Sequence, residues 1–242
     1  MQLIATEEIV APLPVIDVSK CRYCGVCAGF CPQKAIQFNR FIPSVTLVVS
    51  RCYACGNCLK GCSRNGIKLR DKICGTILKG SLGKHSFIAG CLDDTSGFEI
   101  PLINALLERL NPDLTVVCDF GPGTGSPVEA GLAGMDIALL VAQPGPGWET
   151  DMDLLLELIQ KSHVDAGLIL NKVIPGSEII DDIRVYCTNH SFPLLGIIPF
   201  DKNLEDDSDF HTFANRGTTM QGFSEIWKQV VGMFKVPLAV KN

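Results

Sequence analysis

No stretch of the chain is apolar for long enough to cross a membrane. The longest runs, such as Ile137 to Ala142, have the length of a strand, whereas a spanning helix needs about 20 residues. The first ten residues have neither a basic start nor an apolar run of signal-peptide length, and nothing else points to an oxidising compartment. A soluble cytoplasmic protein in a reducing cell is the expectation. Also missing is any G-x-x-x-x-G-K followed by Ser or Thr, the loop that cradles the β- and γ-phosphates of a nucleotide. Gly80-Ser81-Leu82-Gly83-Lys84-His85 comes nearest, but it lacks the spacing and the hydroxyl and falls in an expected hairpin. That absence argues against self-contained ATP hydrolysis. The length and 47% apolar content suffice for one sizeable core plus a small module.

What is present in quantity is cysteine. Eight of twelve fall in two runs of the form C-x2-C-x2-C-x3-C: Cys21, Cys24, Cys27, Cys31, and then Cys52, Cys55, Cys58, Cys62. The second run repeats the first at a constant offset, with Gly56 matching Gly25 and Gly66-Ile67 matching Ala35-Ile36. A glycine between cysteines suits a backbone that wraps closely around an inorganic core. Structural zinc sites draw instead on two short ligand pairs separated by a longer stretch. Each run resembles the bacterial ferredoxin signature for a 4Fe–4S cluster, in which the fourth cysteine of a run ligates the other cluster. The resemblance implies one cluster on Cys21, Cys24, Cys27 and Cys62, and another on Cys52, Cys55, Cys58 and Cys31. Pro32 closes the first run as the signature requires, while Ser63 replaces proline after the second, a departure that removes no ligand. Cys74, Cys91, Cys118 and Cys187 are scattered, as small buried apolar residues usually are.

Charge divides along the same line. Residues 16–71 hold nine basic side chains against Asp17 and Asp71, a formal +7, whereas the remainder holds twelve basic and twenty-four acidic residues, −12. Basic surroundings favour the reduced, more negative form of a cluster. A nucleic-acid motif is lacking and the whole chain is acidic, so no nucleic-acid partner is expected.

After the cysteine runs, two strands (Ile73–Lys79 and Phe87–Leu92) are predicted around a Gly-containing turn. Ile100, Ile103, Leu106, Leu107 and Leu110 recur at helical spacing. Strands are predicted at Leu114–Cys118, Asp136–Val141, Ala166–Leu170 and Leu194–Ile198. Helices are predicted from a Thr150/Asp153 capping box through Lys161 and over about Ser177–Asn189. A closing helix presents Phe223, Ile226, Trp227, Val230 and Phe234 on one face. Strands alternating with helices predict a parallel sheet covered on both sides. Three loops stand at carboxyl ends of these strands: Asp119 to Pro127, Gln143 to Gly147, and Asn171-Lys172. In an open parallel sheet that end forms the ligand crevice.

The order of these segments (V-V-C-D-F-G-P-G-T-G-S-P-V, L-L-V-A-Q-P, L-I-L-N-K-V and L-G-I-I-P-F-D) resembles the MinD and Mrp group of P-loop ATPases. The matching branch carries an inserted two-cluster ferredoxin domain. The likeness extends from about Leu3 to about Asp201. It implies an α/β fold: a parallel-sheet, P-loop-NTPase-like domain missing its first strands, with a small α+β two-cluster insertion. The implied domains are a remnant at 1–15, the ferredoxin-like domain at 16–71, and a nucleotide-binding-type domain at 72–242. It places Asp119 toward magnesium and the γ-phosphate, Gly123 near phosphate, and Asn171 on the adenine. Ile198 to Asp201 would lie near the base and ribose. Gly121 stands where the family has proline, and Ser126 where it often has cysteine.

The expected protein is therefore an electron carrier with two 4Fe–4S clusters and a redox protein partner. The alternative is a nucleotide-dependent switch, a half-site that binds ATP or ADP with magnesium only when a P-loop-bearing partner completes it. The missing strand would leave apolar edges exposed, so a homo- or hetero-oligomer is expected, with a partner chain or the Leu3 to Val10 segment covering the gap.

Overall fold

The computed structural model describes residues 2–93, 97–174, 176–202 and 217–234. The chain divides into two compact units, Met1–Asn111 with Phe120–Gly131, and Pro112–Asp119 with Leu132–Asn242.

The first unit carries β1 (Gln2–Ile16), α1 (Val26–Gly29), β2 (Ile36–Asn39), β3 (Ser44–Leu47), a 3-10 turn (Val49–Arg51) and α2 (Asn57–Lys60). Then come β4 (Ile67–Leu82), β5 (His85–Leu92), α3 (Glu99–Leu107) and α4 (Ser126–Leu132). β1 runs antiparallel along the whole of β4, from Gln2 opposite Ser81 to Ile16 opposite Ile67. β5 pairs on the other side of β4, giving the order β1-β4-β5. β1 is therefore an edge strand, which is why it tolerates Pro12 and Pro14: proline has no N–H to give to a second neighbour. Ile9, Ala11, Cys74 and Ile77 of this sheet are buried with Phe98 and Leu102 at α3. Burying each large apolar side chain fully contributes roughly 1.5–3 kcal/mol, so this core anchors the strands that frame the cysteine runs.

The second unit carries β6 (Ile137–Ala142), α5 (Trp148–Ser162), β7 (Asp165–Val173), α6 (Ile179–Asn189), β8 (Leu194–Pro199) and α7 (Gly217–Phe234). β6, β7 and β8 form a parallel sheet in that order. Leu168 and Leu170 of the central strand pack with Met152 and Leu156 of α5 and Ile183 and Cys187 of α6. Ile169 packs with Leu195 and Ile198 of β8 and Ile226 and Val230 of α7. Alternate residues of β7 thus face opposite layers, and its central run Ala166–Leu170 is apolar without alternation, as a doubly covered strand must be. Phe223 and Trp227 stay partly exposed, and the side chain of Phe234 lies outside the described residues.

Several expectations need correction. Leu114–Cys118 is not a strand: it has strand-forming residues but joins no sheet among the described residues, and Val117 is 82% exposed. Leu3 to Val10 belongs to β1 of the antiparallel sheet and not to the parallel one. Among the described residues no strand pairs with the outer edge of β6. The Thr150 capping box does not form. α5 is capped three residues earlier, by Gly147 in the left-handed conformation (φ 82°), with no side-chain cap. Asn171 lies inside β7 and not after it.

Candidate metal centre

The two cysteine runs fold as near copies offset by 31 residues, and the backbone shows how. Tyr23 and Ala54 have φ of 51° and 52°, Gly25 and Gly56 have 75° and 72°, and Lys34 and Asn65 have 50° and 54°. Gly25 and Gly56 open the single-turn helices α1 and α2. Left-handed residues alternating with right-handed ones turn successive N–H groups toward a common side, which makes a concavity for negative charge. The sulfurs receive those groups. Ala35 N–H donates to Cys31 Sγ and Gly66 N–H to Cys62 Sγ, both at 3.2 Å, and Tyr23 N–H donates to Cys21 Sγ at 3.4 Å. Each half also grips the other. Asp17 N–H donates to Gly66 C=O at 2.8 Å, and Val48 N–H donates to Ala35 C=O at 2.7 Å, positions related by the same offset.

This interlocking brings the thiols together in two sets. Cys27 is within electrostatic reach of Cys21, Cys62 and Cys24, and Cys58 is within reach of Cys52, Cys55 and Cys31. A small cavity of about 20 Å³ is lined by Cys31, Cys52, Cys55 and Cys58 together with Pro14 and Tyr53. Among the described residues no three thiol, imidazole or carboxyl groups close on one point tightly enough to hold a single ion. Tetrahedral zinc with bonds of about 2.3 Å would hold its sulfurs only about 3.8 Å apart. Burial pushes the Cys27, Cys52 and Cys58 thiols up, Cys58 to about 11, with neighbouring thiols adding to the shift in each case. Amide hydrogen bonds oppose it, from Ala28 at Cys27 and from Ala54 at Cys52. Metal therefore has to displace protons, and its affinity rises with pH.

The sites differ in their surroundings. Cys52 and Ala35 are part of the buried core that includes Cys74, Ile77 and Phe98. Cys27 is buried with Ile36, Val45, Cys58 and Ile67 in a separate small core. Sequence reasoning missed the sulfur-directed amides of Ala35 and Gly66, although the repeated Ala35-Ile36 and Gly66-Ile67 pairs carried their signal. It also missed the ring of Phe38, which would lie 2.6 Å from a Cβ at Gly25.

The residues expected at a nucleotide are less organised. Asp119 is exposed in an irregular segment. Gly123 (φ 127°) has open space around it. Asn171 uses its own side-chain oxygen to accept the Lys172 N–H at 2.9 Å. Lys172 has φ 56°, and the β7–β8 register shifts here. Asp119 and Asn171 fall in the second compact unit and Gly123 in the first.

Residues 13–63 match the family described as a 4Fe-4S dicluster domain. No curated protein matches the chain. The chain thus contains an iron–sulfur domain of ferredoxin type spanning both cysteine runs, and among the described residues no helix is long and apolar enough to cross a membrane.

Proposed function

We propose that the chain is an electron carrier holding two 4Fe–4S clusters, one on Cys21, Cys24, Cys27 and Cys62 and the other on Cys52, Cys55, Cys58 and Cys31. The observation that carries this reading is the association of each run's first three thiols with the last thiol of the other run. Four thiols around one cavity suit ligands that each bind a different iron. When bound, each cluster supplies a one-electron couple. The protein's own part is to hold four thiolates and to aim amides at them. The N–H groups of Tyr23, Ala35 and Gly66 lower the negative charge on sulfur and so ease addition of an electron. The apolar lining from Pro14, Ile36 and Leu47 limits water at the second site. Anaerobic preparations should contain about eight iron and about eight acid-labile sulfide per chain and show the EPR of reduced clusters. A zinc-only preparation would end the proposal.

A second reading is that the chain is half of a nucleotide switch on a MinD-like scaffold, completed by a P-loop-bearing partner in a hetero-oligomer. Asp119 and Gly123 would face phosphate and magnesium, and Asn171 the adenine. It is supported by the parallel order β6-β7-β8 and by an outer edge of β6 that no strand among the described residues covers. ATP binding is then expected only in the presence of the partner, and lost in Asn171→Ala. No nucleotide effect in any mixture would count against it.

A further inference from the structure

The two halves of the cysteine module are alike around sulfur but diverge beyond it. In the second half, Leu69 lies 3.7 Å from where a Cβ at Gly56 would be, and the chain then continues into β4, with Arg70 opposite Leu13 and Lys72 opposite Ala11. In the first half, Phe38 holds the corresponding place over Gly25. There the chain turns back after Asn39, which pairs with Ser44. The position matching Lys72 is Phe41, at the tip of the turn, and it is 95% exposed with Ile42 at 71%. The tip is not loose: Asn39 Oδ1 accepts the N–H of Phe41 at 2.9 Å and of Ile42 at 3.1 Å. A fully exposed aromatic ring gains nothing from folding, and one held on a fixed turn has already given up much of its freedom. That is the form of a preorganised binding anchor.

Its charge setting narrows the partner. Arg40 adjoins the ring in the turn and is exposed, as are Arg22 and Lys34, and residues 16–71 carry a formal +7. We infer that the Asn39–Pro43 turn is the docking surface for an acidic redox protein that exchanges electrons with the site built on Cys21, Cys24, Cys27 and Cys62. This rests on the iron–sulfur reading above. Phe41 and Ile42 supply the apolar contact, and Arg40 and its basic neighbours steer and orient the acidic surface. Phe38 ties the turn to the loop between Cys24 and Cys27, so a partner seated on Phe41 docks on the hairpin that packs against that site's loop. The transfer moves one electron and no atoms. The partner's reduced carrier loses the electron, and the cluster held by the Cys21 set takes it, its core passing from 2+ to 1+.

The test is anaerobic stopped-flow reduction of the full, cluster-loaded chain by the hydroquinone of flavodoxin, a small acidic flavin protein. Reduced methyl viologen, which needs no docking, is the control. Phe41→Ser is expected to slow reduction by flavodoxin about fivefold, and Arg40→Glu about tenfold at low ionic strength, the scale of a steering contact. Added salt should slow the wild type and narrow the gap for Arg40→Glu. Rates with methyl viologen and the EPR spectra should not change. Unchanged flavodoxin rates in both variants would overturn the docking surface, and so would equal losses with methyl viologen. A concentration-dependent dimer abolished by Phe41→Ser would also overturn it, assigning the turn to a second copy. Wild-type protein without cluster EPR would overturn the iron–sulfur reading itself, a failure distinct from normal EPR with unchanged rates.

Discussion

The glycines between cysteines are the residues on which the module's geometry is most exposed to mutation. Both Gly25 and Gly56 are left-handed, so alanine at either place costs roughly 1–2 kcal/mol in backbone strain. At Gly25 a methyl group would also sit 2.6 Å from the Phe38 ring, whereas at Gly56 the nearest atom is 3.7 Å away. Gly25→Ala is therefore expected to lower the Tm of the cluster-loaded chain more than Gly56→Ala, by the equivalent of about 1 kcal/mol. Equal losses would show that Phe38 yields freely. The glycines themselves were legible in sequence, because close wrapping around an inorganic core restricts the residue type. The inequality between them was not, since it depends on which side chain a strand later folds back over each one.

Among elements, β1 is fastened to its surroundings by charge as well as by its ladder. Glu7 of β1 is paired with Arg109, just beyond α3, and with Lys79 of β4 at 3.1 Å. The hydrogen bonds from Arg109, and then from Lys79, hold the Glu7 carboxyl down at about 2, against an ordinary 4.5. A depressed carboxylate stabilises the fold fully above its unfolded value and loses that contribution as pH falls through the folded one. Glu7→Gln should thus lower Tm at neutral pH, with the gap to wild type closing between pH 4.5 and about 2. The three groups are half-buried and still reach water, so high salt should shrink the gap as well. The β4–β5 hairpin was readable because its turn and apolar runs are local signals. The Leu114–Cys118 strand was misread for the opposite reason: strand residues make a strand only when another strand accepts their hydrogen bonds. The start of α5 was misread because Gly147 terminates the preceding loop by backbone conformation, without the side-chain cap that the Thr150 pattern suggested.

At the scale of the whole molecule, the cysteine-bearing unit and the parallel-sheet unit have separate cores. Stripping the clusters by anaerobic chelation should therefore speed hydrogen exchange across residues 13–70, where sulfur ligation is part of folding. The amides of β7 and β8, held by apolar packing alone, should keep their protection. Uniform loss of protection would show the two units to be one cooperative body. The architecture of the first unit was only partly legible. The repeat announced the module, but nothing local in residues 2–16 revealed that they would line β4 from end to end. The cross-assignment of the thiols proposed above has a consequence in time. During synthesis Cys21, Cys24 and Cys27 leave the ribosome first, yet the fourth member of their set is Cys62. A nascent chain stalled before that codon has no intact cage to offer, so loading with iron must trail translation of both runs.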